Sequence, residues 1–135
     1  MKIFLNSKYF IVLICIFICF PSHSKWKKFK ENSTSSEYFE VDAIKKVKGI
    51  IFAWSMIDYK KPLEDGNLST KYYSKYDCGQ KRFKVITIIK YKTRMGRGRD
   101  FEYIKNLDTE SEESDWSYPL LGKEDYSKIS FVCHF

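Results

Sequence analysis

Apolar and polar positions change their spacing along this chain, and each change predicts an element. Tyr9 to Phe20 is an unbroken apolar run of 12 residues. Lys2 and Lys8 lie on its N-terminal side, Pro21 breaks it, and Ser22-His23-Ser24 offers small residues before Lys25. This is the three-part plan of a secretory signal over residues 1–24. A membrane-spanning helix needs about 20 apolar residues. The run therefore predicts a removable export signal, with an uncleaved N-terminal anchor as the alternative. Cys15 and Cys19 follow Ile14 and Ile18, residues too bulky for a lipoprotein attachment site, so both cysteines are expected to leave with the signal.

Beyond Lys25 the pattern becomes that of strands. Lys25-Trp26-Lys27-Lys28-Phe29-Lys30 mixes lysines with aromatics, which suits an edge strand protected from further pairing; contact with a membrane or partner is the functional alternative. Glu37 to Val41 predicts a short strand carrying Tyr38 and Phe39. Ile50 to Tyr59 is β-branched and aromatic on both faces, as expected of a central strand. Trp54 is expected to fill the core, with Asp58 and Pro62 fixing the strand exit into a loop that contains Asp65-Gly66 and Asn67. Ser69 to Cys78 alternates, with Tyr72, Ser74, Tyr76 and Cys78 on one face and Tyr73, Lys75 and Asp77 on the other. Gly79-Gln80 and a long run from Arg82 to Lys92 follow, a hairpin signal. Asp100 to Ile104 suits a further strand, and Asp108 to Asp115 reads as an acidic loop. From Lys123 to Val132, Tyr126, Ile129 and Val132 recur at spacing three, which predicts a terminal helix. About six strands and one late helix make a single antiparallel α+β domain over residues 25–135. The runner-up is an all-β barrel in which the C-terminal segment is a strand.

Length narrows the possibilities. The chain has 135 residues, and removal of the signal leaves 111. That bounds the protein to one small domain and excludes a two-domain enzyme, a coiled-coil rod or a repeat array. With 44% hydrophobic and 18% aromatic residues, it is globular in composition. Loss of Lys2 and Lys8 leaves 22 basic against 17 acidic residues, a mature charge of +5. Only Cys78 and Cys133 remain, and an even pair in an exported chain predicts a disulfide. Two free buried thiols are the alternative. Closing that loop contributes about 4 kcal/mol in the chain-entropy account. No Cys-x-x-Cys pair remains in the mature chain to suggest a redox role. A terminal helix would leave Cys133 positioned to be pinned to the sheet through Cys78.

Candidate chemistry is sparse. The mature chain has one histidine, His134, and no Ser-His-Asp, Gly-x-Ser-x-Gly, His-Glu-x-x-His or phosphate-loop pattern. No enzyme activity, metal or cofactor is expected. The densest basic cluster is Lys90, Lys92 and Arg94 followed by Met95-Gly96-Arg97-Gly98-Arg99. Glycines permit a tight turn, and arginine forks suit sulfate, phosphate and carboxylate. Lys90, Lys92, Arg94, Arg97 and Arg99 are thus candidate contacts for sulfated glycans, anionic lipid or acidic proteins. The alternative is a solvated hairpin tip whose charges offset the acidic loop. Nucleic acid is disfavoured by the exported compartment. The many tyrosines supply amphipathic contact area, and an exposed strand edge could pair two copies into a homodimer.

An ordered set of short motifs carries a resemblance. Tyr38-Phe39-Glu40-Val41-Asp42 comes first, then Trp54-Ser55-Met56-Ile57-Asp58-Tyr59-Lys60-Lys61-Pro62, Ser69-Thr70-Lys71 and Tyr76-Asp77-Cys78. Arg82-Phe83, Met95-Gly96-Arg97-Gly98 and a closing Val132-Cys133 complete it. In this order the segment from Tyr38 to Cys133 resembles the surface-adhesin protein E family of Gram-negative bacteria. The resemblance implies an antiparallel sheet of about six strands, with a C-terminal helix held on its concave face by a disulfide. It also implies secretion to the periplasm or outer surface, and for the family's namesake adhesion to host matrix and serum proteins such as laminin and vitronectin. Departures are the β-branched, polar stretch Ser127 to Phe131 and the acidic 108–115 insertion. The expectation is an exported, non-enzymatic, adhesin-like binding protein; the alternative is a periplasmic structural or interaction protein with no host ligand.

Overall fold

A computed structural model describes residues 25–104 and 116–135. The expected export signal over 1–24 and the acidic run 108–115 lie outside the described residues. Among the described residues the elements are β1 (Trp26–Glu31), β2 (Ser35–Glu40), β3 (Lys45–Val47), β4 (Ile50–Tyr59), β5 (Ser69–Asp77), β6 (Arg82–Tyr91), β7 (Asp100–Ile104) and one α-helix, α1 (Glu124–Cys133). All strand pairings are antiparallel, and the sheet order is β1-β2-β4-β5-β6-β7. The short β3 pairs with β4 as well.

β4 is central, as its two-sided apolar sequence predicts. One edge of it is shared. β2 covers its C-terminal half, from Phe39 opposite Ser55 to Ser35 opposite Tyr59, and β3 covers its start, with Lys45 opposite Phe52 and Val47 opposite Ile50. A 3-10 turn over Val41–Ala43 separates the two. Lys48 and Gly49 then reverse the chain, both at positive φ, 49° and 83°, the geometry that two-residue hairpins require.

One face of the sheet packs on α1. Phe39, Ile51, Ala53, Tyr76 and Phe83 form a buried cluster with Ile129 and Val132 of the helix. Phe131 stacks on Phe39 with centroids 5.1 Å apart, and Phe29 of β1 closes the margin. The stretch Ser127 to Phe131 is a poor helix former, so α1 depends on tertiary contacts more than on propensity. Three of these are visible. Ile129 and Val132 are buried, the Cys78–Cys133 disulfide is formed with Cα atoms 5.7 Å apart, and Lys128 lies 3.5 Å from the buried Glu37 carboxylate of β2. Glu124 and Asp125 in the first turn complement the positive end of the helix dipole.

The barrel alternative is overturned: the C-terminal segment is a helix, and the sheet is open with β1 and β7 at its edges. Trp54 also corrects its expected place. It alternates with the buried Ala53 and Ser55, and so lies on the face away from α1, partly exposed, with its ring 5.0 Å from that of Tyr73 on the neighbouring strand. Trp26 joins it on that face, while Phe29 alone of the first-strand aromatics reaches the core margin.

Candidate functional site

Two pieces of the motif series, the exit of β4 at Asp58 and the Met95-Gly96 turn, meet on the helix-free face. Asp58 stands at the exit of β4 and is 1% exposed. Its Oδ2 accepts hydrogen bonds from Arg94 Nε at 2.9 Å and Nη2 at 2.5 Å, and its Oδ1 accepts from the Met95 N–H at 2.7 Å. The carboxylate raises the pKa of the Arg94 guanidinium, first through the side-chain hydrogen bond. Ser69, at the start of β5, accepts from the Gly96 N–H at 2.8 Å and donates to the Thr93 carbonyl at 2.6 Å. Lys71 donates to the Gly96 carbonyl at 3.1 Å, and the Thr93 hydroxyl donates to the Arg97 carbonyl.

These bonds explain why the turn has its sequence. Met95 and Gly96 both adopt positive φ, 58° and 57°. At Gly96 that conformation is costly for any residue with a Cβ, and a Cβ there would run into the Lys71 side chain. Asp58, Ser69 and Lys71 thus shape the 92–99 loop from two neighbouring strands.

The five candidate basic residues divide into two groups. Lys90 is engaged, at 2.7 Å from Glu102 and 3.4 Å from Asp65, and the hydrogen bond it donates to Glu102 raises its pKa. Arg94 is engaged by Asp58 although half of its side chain reaches solvent. Lys92, Arg97 and Arg99 are exposed on the loop. Lys92 holds its ammonium 5.2 Å from the Phe101 ring centroid. Among the described residues, neither Arg97 nor Arg99 has an ion-pair partner. The loop therefore leaves Lys92, Arg97 and Arg99 exposed to solvent, while ion pairs tie Lys90 and Arg94 to the fold.

Beside the loop lies a feature that sequence reasoning missed. Trp26, Glu40, Trp54, Lys71, Ile89 and Tyr91 line a cleft of about 320 Å³. The Lys71 ammonium stands 5.1 Å from the Tyr91 ring centroid and 5.6 Å from that of Trp26. Burial lowers its pKa. Five strands contribute, so its linear traces were scattered: Glu40, Trp54 and Lys71 stand in three separate pieces of the motif series. Among the described residues, no cluster of His, Cys, Asp and Glu could hold a metal ion.

Comparison with known proteins supplies the remaining context. No curated protein and no solved structure shows a significant match. The family model for surface-adhesin protein E matches residues 26–134. That span runs from the first strand to the residue after the disulfide, and takes in Asp58, the 92–99 loop and α1. The chain thus belongs to the surface-adhesin protein E family.

Proposed function

We propose that this protein is an exported, non-enzymatic adhesin that recognises host extracellular-matrix or serum proteins of the laminin and vitronectin type through the 92–99 loop. Family membership supplies the general role of surface adhesin. The observation that carries the finer reading is the loop itself. Arg97 and Arg99 stand exposed without ion-pair partners among the described residues, on a backbone held by Asp58, Ser69 and Lys71. Charge fixed on a rigid support steers an acidic partner and loses less entropy on binding than charge on a floppy tip.

The test is binding of the wild type and an Arg97→Ser/Arg99→Ser variant to immobilised laminin and vitronectin over a range of salt concentrations. Arg94 is left in place because its replacement would also disturb the fold. Binding should weaken with salt in the wild type and fall at least about tenfold in the variant. Equal binding by the two proteins, or no binding by either, would refute the proposal.

A further inference from the structure

The cleft beside the loop has a composition that selects a ligand class. Two indoles, a phenol ring and Ile89 form its apolar lining, and one ammonium group and one carboxylate supply its polar contacts. Its volume of about 320 Å³ falls at the small end of the range for ligand pockets, about 300–1,000 Å³. Cation-binding aromatic cages look similar, but here the cation is already present. Lys71 places its ammonium against Trp26 and Tyr91, so a second cation would meet like charge.

An ammonium has three N–H donors. Lys71 gives one to the Gly96 carbonyl, which leaves capacity for an anionic group arriving from solvent. Partial burial of Lys71 strengthens such a pair by lowering the local dielectric. The rings offer flat apolar surfaces for the C–H faces of a saccharide, and Glu40, whose charge also acts on Lys71, lines the same cleft. Arg97 and Arg99 on the adjoining loop extend the positive field. From this chemistry we propose that the cleft binds a pyranose ring bearing sulfate or carboxylate, as one unit of an acidic matrix polysaccharide. The inference deepens the adhesin reading and rests on it for the source of the sugar.

The experiment titrates the protein, with its disulfide intact, with a heparin disaccharide while proton–nitrogen correlation spectra follow the three indole N–H groups. The neutral disaccharide N,N′-diacetylchitobiose (chitobiose) serves as control. Trp26 and Trp54 should shift with the heparin disaccharide and not with chitobiose, and Trp116 should stay in place. Lys71→Met should weaken binding at least about tenfold, and Lys71→Arg should restore part of it, which separates a charge role from a packing role. The Arg97→Ser/Arg99→Ser variant should lose salt-sensitive binding to laminin and vitronectin yet keep the cleft shifts. Unmoved Trp26 and Trp54 signals would overturn the inference, as would wild-type affinity in Lys71→Met or equal binding of chitobiose. If the cleft shifts appear but no matrix protein is bound, the cleft chemistry is supported and the adhesin reading fails.

Discussion

Replacing Asp58 by Ala tests how the basic loop is held. The side chain is 1% exposed and accepts hydrogen bonds from Arg94 and from the Met95 N–H. Hydrogen bonds to a charged acceptor contribute about 1.5–3 kcal/mol each. The Arg94 guanidinium reaches solvent and exchanges its lost partner for water, so it adds little to the cost. The Met95 N–H, partly buried, loses a charged acceptor outright. Asp58→Ala should therefore destabilise the domain by about 2–3 kcal/mol, a large share of the 5–15 kcal/mol typical of folded domains. With a urea m-value of about 1–2 kcal/mol/M, the midpoint should fall by about 1–3 M with m unchanged. Asp58→Asn keeps a carbonyl oxygen for Met95 and should fall between Ala and wild type. Hydrogen exchange adds a local readout: the Met95 and Gly96 amides should lose protection while the β4–β5 ladder keeps it. A midpoint within about 0.3 M of wild type, or a Met95 amide still protected in Asp58→Ala, would refute this account of the loop.

Three other perturbations probe different parts of the structure. Removing the disulfide with a Cys78→Ser/Cys133→Ser pair should cost up to about 4 kcal/mol and loosen α1 first, visible as an early loss of helical circular dichroism on heating; a melt superimposable on that of wild type would contradict it. Burial raises Tyr76, and likewise Tyr72, to about 12. Folded values above the unfolded one mean that this stabilisation is complete below about pH 10 and is lost as pH rises towards 12, at about 1.4 kcal/mol per pH unit for Tyr76. Urea midpoints at about pH 9 and about pH 11 should show the decline, and tyrosinate absorbance should show two late-titrating groups; equal midpoints would count against it. Gly96→Ala should destabilise by about 1–2 kcal/mol through its positive φ and push Lys71 out of the cleft, detectable as shifts at the Trp26 indole and Tyr91; a neutral substitution would mean that the turn can relax.

Much of the fold was legible because it rests on local pattern. The two-sided apolar run Ile50 to Tyr59 could serve only as a central strand, and alternation in Ser69 to Cys78 placed Ser74 and Tyr76 on the buried face. Spacing of three in the last segment picked out Ile129 and Val132 as the buried helix positions, despite a composition that favours strands. β3 was not legible. Lys45-Lys46-Val47 has no buried position, and it is a strand because β2 leaves the start of β4 unpaired. Trp54 was misplaced because an apolar run on both faces says nothing about which face the helix will cover. The Asp58–Arg94 link joins residues 36 positions apart, and depends on where β6 ends and the 92–99 loop folds back. Its sequence trace was the occurrence of Asp58 and of Met95, the neighbour of Arg94, in one motif series. The cleft drew on β1, β2, β4, β5 and β6 at once, and cross-strand register of that kind has no linear period to read.

An adhesin must be reachable from outside the cell, and the structure provides its own reporters for that. Lys45, Lys46, Lys48 and Lys92 are exposed, so a membrane-impermeant amine label should modify them wherever it can reach the protein. The measurement is labelling on intact cells against cells with opened outer membranes. The account predicts the same lysines labelled to the same extent in both. Labelling that begins only after the outer membrane is opened would place the protein in the periplasm and contradict an adhesive role at the surface.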